Sequence, residues 1–329
     1  MTATPLVLPW SGQARPVLLL AASTGGHLAE LVRIEAALGS APESLWITFD
    51  TPQSRSLLAG RRVLHVPEVT QRDLAGTVRA ARLVRRLLRT SDVRFDGALS
   101  TGAAIAAAVL PAARSRRIPA VYVESMTRTE GPSMTGRLLE AVPGVRLVRQ
   151  SDLWERRGWS HWAGVAASWR RAPSAAGPVR RVFVTLGTTR KYPFDALLDA
   201  LARVLPPGVE VTWQVPYAPR RTLPGTVVEQ IRPERFDELA READVTVCHG
   251  GAGSLLRLWE LGVHPLVVPR RAARGEHVDD HQAQIARLVE GHGLGRVVEA
   301  PDLRWEDVVE AGRHVVVDRG QHAGSSANA

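Results

Sequence analysis

The stretch VLLLAASTGGH, Val17 to His27, decides the fold. Val17 to Ala22 is an apolar run of strand length, and Ser23-Thr24-Gly25-Gly26 is a turn of small residues. A helical pattern follows from about His27 to Leu38. A strand that turns straight into a helix opens a βαβ unit, and such units build parallel sheets. The rhythm continues outward: strands are expected at Ser44 to Phe49, Arg62 to Val66, Gly97 to Ser100, Ala120 to Glu124 and Val145 to Arg149, with helices between them. The fold class is α/β, doubly wound and parallel.

Around Ala163 to Pro178 the composition shifts to Ala, Ser, Gly and Pro without periodicity, and a new strand opens at Arg181. The scheme then repeats, with strands at Val182 to Leu186, Glu210 to Gln214, Val245 to Cys248 and Pro265 to Pro269, and helices at Phe194 to Val204 and Ser254 to Leu261. Two α/β domains are expected, 1–165 and 181–318, joined by a linker at 166–180 and followed by a disordered tail at 319–329.

The chain has 329 residues, 45% of them hydrophobic, which is enough to build real cores and excludes a disordered tail or a disulfide miniprotein. Lys and Arg number 42 against 33 Asp and Glu, a net charge of +9, and the only lysine is Lys191. Such an excess suits anionic partners without saying which. Cys248 stands alone, so there is no internal disulfide and no thiolate-rich zinc site. The N-terminus lacks the basic and long apolar segments of a signal peptide, so a cytoplasmic location is expected. Gly97 to Ala113 is free of charge for 17 residues, but its Ser100, Thr101, Gly102 and Pro111 read as a strand end, a turn and a buried Ala-rich helix instead of a membrane span.

Three small-residue turns follow strands: Ser23 to His27, Thr185 to Thr189, and His249 to Ser254. Glycine lets backbone approach a ligand closely, and a helix N-terminus favours phosphate. Ligands bind open α/β sheets at the carboxyl ends of strands. None of the turns fits the dinucleotide or P-loop fingerprints, which argues against a dehydrogenase or a P-loop ATPase. His27 is placed to act as a base or to cap its turn, and Glu124 at its strand end is a second base or a helix cap. RRAARGEHVDDHQ, Arg270 to Gln282, holds potential metal ligands at His277, Asp279, Asp280 and His281. Their spacing matches no zinc pattern, and a helix start capped by Asp279 or Asp280 is the plainer reading. Arg72 to Arg89 is a basic amphipathic helix that suits either an anionic membrane or solvent. With three Tyr and five Phe and no recognisable module, nucleic acid is a poorer partner.

These strings resemble a fused form of the two-subunit glycosyltransferases of glycosyltransferase family 28. STGGH (23–27), STGAAIA (100–106) and YVESMTRTEGPSMTGRLL (122–139) resemble the acceptor-side subunit. FVTLGTT (183–189), ADVTVCHGGAGS (243–254) and VVPRRAARGEHVDDHQ (267–282) resemble the nucleotide-sugar subunit. The resemblance implies a GT-B architecture, two Rossmann-like domains facing a cleft, with a UDP-sugar donor and a polyprenyl-diphosphate-linked sugar acceptor in exopolysaccharide assembly. It implies donor contacts at Gly187, Thr188, Thr189, His249, Gly250, Gly251, Ala252, Gly253, Ser254, Glu276, His277, Asp280, His281 and Gln282. On the acceptor side it implies Ser23, Thr24, Gly25, Gly26, Thr101, Gly102 and Ser125, with His27 or Glu124 as catalytic base. Two departures stand out. Relatives carry a ribose-binding Glu where this chain has Arg257, with Glu260 one turn on, and some carry an N-terminal membrane anchor, whose role here would fall to the basic helix at 72–89.

The expected reaction is an inverting transfer, independent of metal and of any cofactor, because no D-x-D pair is evident; helix N-termini, Thr188 and Ser254 would stabilise the leaving group. Peripheral attachment to the inner membrane face follows. A UDP-sugar epimerase of the same fold and a catalytically decayed UDP-binding scaffold are the alternatives.

Overall fold

In the computed structural model, residues 6–69, 73–175, 177–188, 190–277 and 281–319 are described. The chain divides into two compact units, Met1–Val165 and Ala166–Ala329.

The first unit contains β1 (Leu18–Ala22), α1 (Gly26–Leu38), β2 (Leu45–Phe49), α2 (Pro52–Leu57), β3 (Arg62–Val66) and α3 (Leu74–Thr90). It continues with β4 (Gly97–Gly102), α4 (Ala104–Arg114), β5 (Ala120–Val123), α5 (Met134–Glu140), β6 (Val145–Arg149) and β7 (Trp159–His161). The strands form one parallel sheet in the order β3-β2-β1-β4-β5-β6-β7. β1, β2, β4 and β5 are buried along their whole length, as strands covered on both faces must be. The charge-free segment becomes β4 and α4, whose alanines pack in the core with Ile105, Val109 and Leu110 fully buried. No helix among the described residues is long and apolar enough to cross a membrane.

The second unit begins with β8 (Trp169–Pro173), β9 (Arg181–Thr185), α6 (Asp195–Val204), β10 (Glu210–Gln214), β11 (Thr226–Val228), α7 (Pro233–Glu242) and β12 (Val245–Cys248). It closes with α8 (Ala252–Glu260), β13 (Leu266–Val267), α9 (His281–His292), β14 (Arg296–Val297), α10 (Trp305–Gly312) and β15 (His314–Asp318). Six of its strands form a second parallel sheet, β11-β10-β9-β12-β13-β14.

The segment read as a linker, 166–180, is not structureless. β8 lies within it and pairs antiparallel with β15, while Trp169 is buried against Trp259 with ring centroids 5.5 Å apart. The composition of this stretch is that of a loop, and the strand forms because a partner from the far end of the chain supplies its hydrogen bonds. Most of the tail at 319–329 lies outside the described residues.

Candidate functional site

Each sheet has one place where its order reverses, and ligand sites of open α/β sheets form there. In the first unit the reversal falls between β1 and β4, so the Ser23–Gly26 turn and the Thr101–Gly102 strand end are neighbours. Gly25 adopts φ 88°, a left-handed conformation that suits glycine, and caps α1. Its N–H donates to Gln53 Oε1 at 2.6 Å, and its carbonyl accepts from Gln53 Nε2 at 3.2 Å. His27 Nδ1 lies 2.8 Å from the Thr101 carbonyl, and Thr101 Oγ1 donates to the His27 carbonyl at 2.7 Å. A carbonyl can only accept, so Nδ1 carries the proton and Nε2 of the neutral ring holds the lone pair. Gly102, at φ 129°, leaves room for the ring: a Cβ there would sit 2.9 Å from His27 Nδ1.

Glu124 takes a different position from His27. Its carboxylate is buried and accepts from the Tyr122 hydroxyl at 2.9 Å, Ser125 N–H at 3.2 Å and Ser133 N–H at 2.7 Å. Burial holds its pKa above the usual carboxylate range, against those hydrogen bonds. This arrangement ties the segment after β5 in place. Ser125 and Thr101 are likewise buried. The Ser125 hydroxyl faces Thr127 at 3.1 Å, and Thr101 spends both its carbonyl and its hydroxyl on His27.

Sequence reasoning missed Glu30, one turn after His27 on α1. It is fully buried, and its Oε1 accepts from Met126 N–H at 2.7 Å and from the Gln150 side chain. Gln150 also reaches the Glu124 carbonyl at 2.9 Å and accepts from Val165 N–H at 2.8 Å. Burial pushes the Glu30 carboxyl up to about 7. An acid on the core face of an amphipathic helix was the available signal.

In the second unit the order reverses between β9 and β12, which brings the turn at Gly187 beside the one at His249. The buried His249 ring lies between them, with Nδ1 3.4 Å from the Thr185 carbonyl. A Cβ on Gly187 would meet its Cε1 at 2.9 Å, and one on Gly251 would meet its Nε2 at 2.5 Å. Both glycines are thus required by close approach to the histidine, and Gly187 also by φ 70°. The His249 ring thus spaces the two turns. Ala252, Gly253 and Ser254 form the first turn of α8, whose N-cap is Gly251, and with Gly250 and the exposed Thr188 they share the strand-end face of the sheet.

Within the described part of the 270–282 segment, residues 270–277 bond among themselves. Glu276 is buried and accepts from Arg271 N–H at 2.8 Å and from Arg274 Nε at 3.1 Å, so it shapes its own loop. Gln282, also buried, accepts from Arg270 N–H at 2.9 Å. His277 stacks on Tyr192 with ring centroids 5.4 Å apart, joining this loop to the one after β9. Thr189 and Asp280 lie outside the described residues, as do Asp279 and the side chain of His281. Arg257 is exposed on α8 and forks onto Asp237 of α7, with Nε 2.8 Å from Oδ1, and onto Glu260 at 3.0 Å. Among the described residues, no group of three His, Cys, Asp or Glu gathers as a metal cage.

Residues 230–329 match the glycosyltransferase family 28 C-terminal domain. The UDP-N-acetylglucosamine–N-acetylmuramyl-(pentapeptide) pyrophosphoryl-undecaprenol N-acetylglucosamine transferase of Synechococcus sp. (strain CC9902) is 28% identical over 305 residues, covering 83% of this chain and 81% of that protein. The UDP-N-acetylglucosamine transferase subunit ALG14 of Eremothecium gossypii is 31% identical over 183 residues, 46% of this chain and 80% of that subunit. Among solved structures, Acinetobacter baumannii MurG superimposes with a TM-score of 0.56 at 18% identity, covering 90% of this chain and 89% of that one. The fold class is GT-B, and the protein is a glycosyltransferase. The chain belongs to glycosyltransferase family 28.

Proposed function

We propose that this enzyme transfers a sugar from a UDP-sugar to a polyprenyl-diphosphate-linked acceptor with inversion at the anomeric carbon. His27 is the base. Its Nε2 takes the proton from the acceptor hydroxyl, the hydroxyl oxygen bonds to the anomeric carbon, and the bond to the UDP oxygen breaks on the opposite face. Glu124 and Glu30 act behind it, by holding the 124–133 segment and the loop at Met126. The donor binds the strand-end face around Gly187, Thr188 and the first turn of α8, where backbone N–H groups and the helix dipole favour a diphosphate without a metal.

The single observation that carries this reading is the His27–Thr101 clasp at the point where the first sheet reverses its order, since it fixes the ring and directs Nδ1–H at a carbonyl, the tautomer in which Nε2 is the basic nitrogen. The named relatives use UDP-N-acetylglucosamine, and the Synechococcus enzyme acts on an N-acetylmuramyl-(pentapeptide) pyrophosphoryl lipid. That donor and a peptidoglycan-precursor lipid are therefore the first pair to test, and an exopolysaccharide-type lipid-linked sugar is the second acceptor. The membrane-facing element is α3, and attachment is peripheral on the cytoplasmic face.

The test incubates the full chain with labelled UDP-N-acetylglucosamine and each lipid acceptor in EDTA, then reads product and anomeric configuration by NMR. An inverted product is expected, with a loss of about 10²-fold or more in kcat for His27→Gln, the range of general-base effects. Retention of configuration, Mg²⁺-dependent activity, or a fully active His27→Gln enzyme refutes the mechanism.

A further inference from the structure

We infer that Arg270 is a positioning residue of the donor side: its side chain reaches the turn at Gly187 through the Leu186 carbonyl, and its buried charge stabilises the diphosphate of the leaving nucleotide through space. The inference rests on the UDP-sugar reading above and names a group that the sequence motifs did not single out. Arg270 follows β13 and is 1% exposed. Its Nη2 donates to the Leu186 carbonyl at 3.3 Å, immediately before Gly187, and its guanidinium carbon lies 5.4 Å from the centre of the Phe194 ring. Its Nε has no hydrogen-bond partner.

Among the described residues no carboxylate pairs with this cation. Glu276 feels its charge, but the oxygens of Glu276 are engaged by Arg271 N–H and Arg274. A cation buried without a counter-charge lowers stability, and a neutral side chain of similar volume in its place is often neutral or stabilising. The charge therefore does not serve the fold. Its field is weakly screened in a dry interior and extends to the strand-end face at Gly187, where negative charge builds on the departing diphosphate. The main chain of Arg270 adds a second hold, through the bond from its N–H to Gln282, which fixes the start of the 270–282 loop.

Titration calorimetry of the full chain and of Arg270→Met, with UDP and with uridine in EDTA, separates the possibilities. In Arg270→Met the UDP affinity should fall about tenfold or more, while the uridine affinity stays within about twofold, because only the diphosphate meets the charge. The variant should melt no lower than the parent, a combination that a purely structural role cannot produce. Arg270→Lys keeps the charge and should retain most of the preference for UDP over uridine. An unchanged UDP-to-uridine ratio in Arg270→Met overturns the inference, and so does a failure of both variants to fold, since either makes Arg270 a structural residue. A parent that does not bind UDP overturns the donor reading and this inference together, whereas a parent that binds UDP with an unchanged ratio in the variant overturns the inference alone.

Discussion

His27 and His249 each place Nδ1 against a strand-end carbonyl at the point where their sheet reverses, at 2.8 Å and 3.4 Å. The histidines differ in exposure: His27 is half-buried beside an open turn, and His249 is buried between two glycines. That difference is why the proposed base is His27, in the first unit. It also makes Gly102 the most sensitive neighbour of the base. At φ 129° any side chain is strained, and a Cβ would sit 2.9 Å from the imidazole, so the ring must leave the Thr101 carbonyl. Gly102→Ala should lower kcat by about a hundredfold, the cost of a displacement near 1 Å in a positioned group. UDP binding should stay unchanged, because the proposed donor contacts belong to the other unit. Calorimetric UDP affinity measured beside steady-state kinetics checks this, and a variant that loses both equally counts against the assignment.

At the scale of elements, the strand–turn–helix units were legible in the sequence because each is encoded locally by an apolar run, a glycine turn and a helical repeat. β1 with α1, and β12 with α8, fall within a residue or two of their expected bounds. β8 was not legible, since its pairing partner β15 lies at the far end of the chain. The site was legible as turns and not as side-chain directions. Glycine strings mark where backbone approaches something, but whether Glu124, Glu276 or Gln282 turns inward depends on partners that folding supplies. α3 shows the same limit: its amphipathic character was legible, but which of its apolar residues face inward was not, for Ala80, Val84 and Leu88 are buried while Val78 and Leu83 are exposed at 47% and 38%. Those two side chains stand among the exposed Arg79, Arg82, Arg85 and Arg86, a composition suited to an anionic bilayer surface. Arg82→Glu with Arg86→Glu should reduce sedimentation with phosphatidylglycerol vesicles by about tenfold at low salt and leave phosphatidylcholine vesicles unaffected. Unchanged binding to anionic vesicles removes α3 as the attachment face.

Across the whole molecule, buried groups should make stability depend on pH in opposite directions in the two units, through Glu30, with Glu124 acting the same way, in the first and through His264 in the second. Burial raises the Glu30 carboxyl from 4.5 to about 7, so the folded first unit holds this proton more tightly than the unfolded chain does. Its contribution is complete below about pH 4.5 and is lost as pH rises through about 7. In the second unit burial lowers His264 from 6.5 to about 4, and the charges of His314 and Arg171 push the same way, against the hydrogen bond to the Ala311 carbonyl. Its contribution is complete above about pH 6.5 and is lost as pH falls through about 4. Each interval corresponds to about 3 kcal/mol, or roughly 5–10 °C in the melting temperature of a domain this size. Scanning calorimetry of the full chain from about pH 4 to about pH 8 should show the first unit weakening and the second strengthening as pH rises. If the units melt together, the slopes cancel between about pH 4.5 and 6.5, and each variant uncovers the other's slope. Glu30→Gln, which keeps the shape and removes the titration, should flatten the alkaline loss. His264→Asn, whose amide can still donate to the Ala311 carbonyl, should flatten the acid loss. If neither variant changes either slope, the buried carboxyl and imidazole do not govern the pH response, and the charge pairs on the surface take their place as its source.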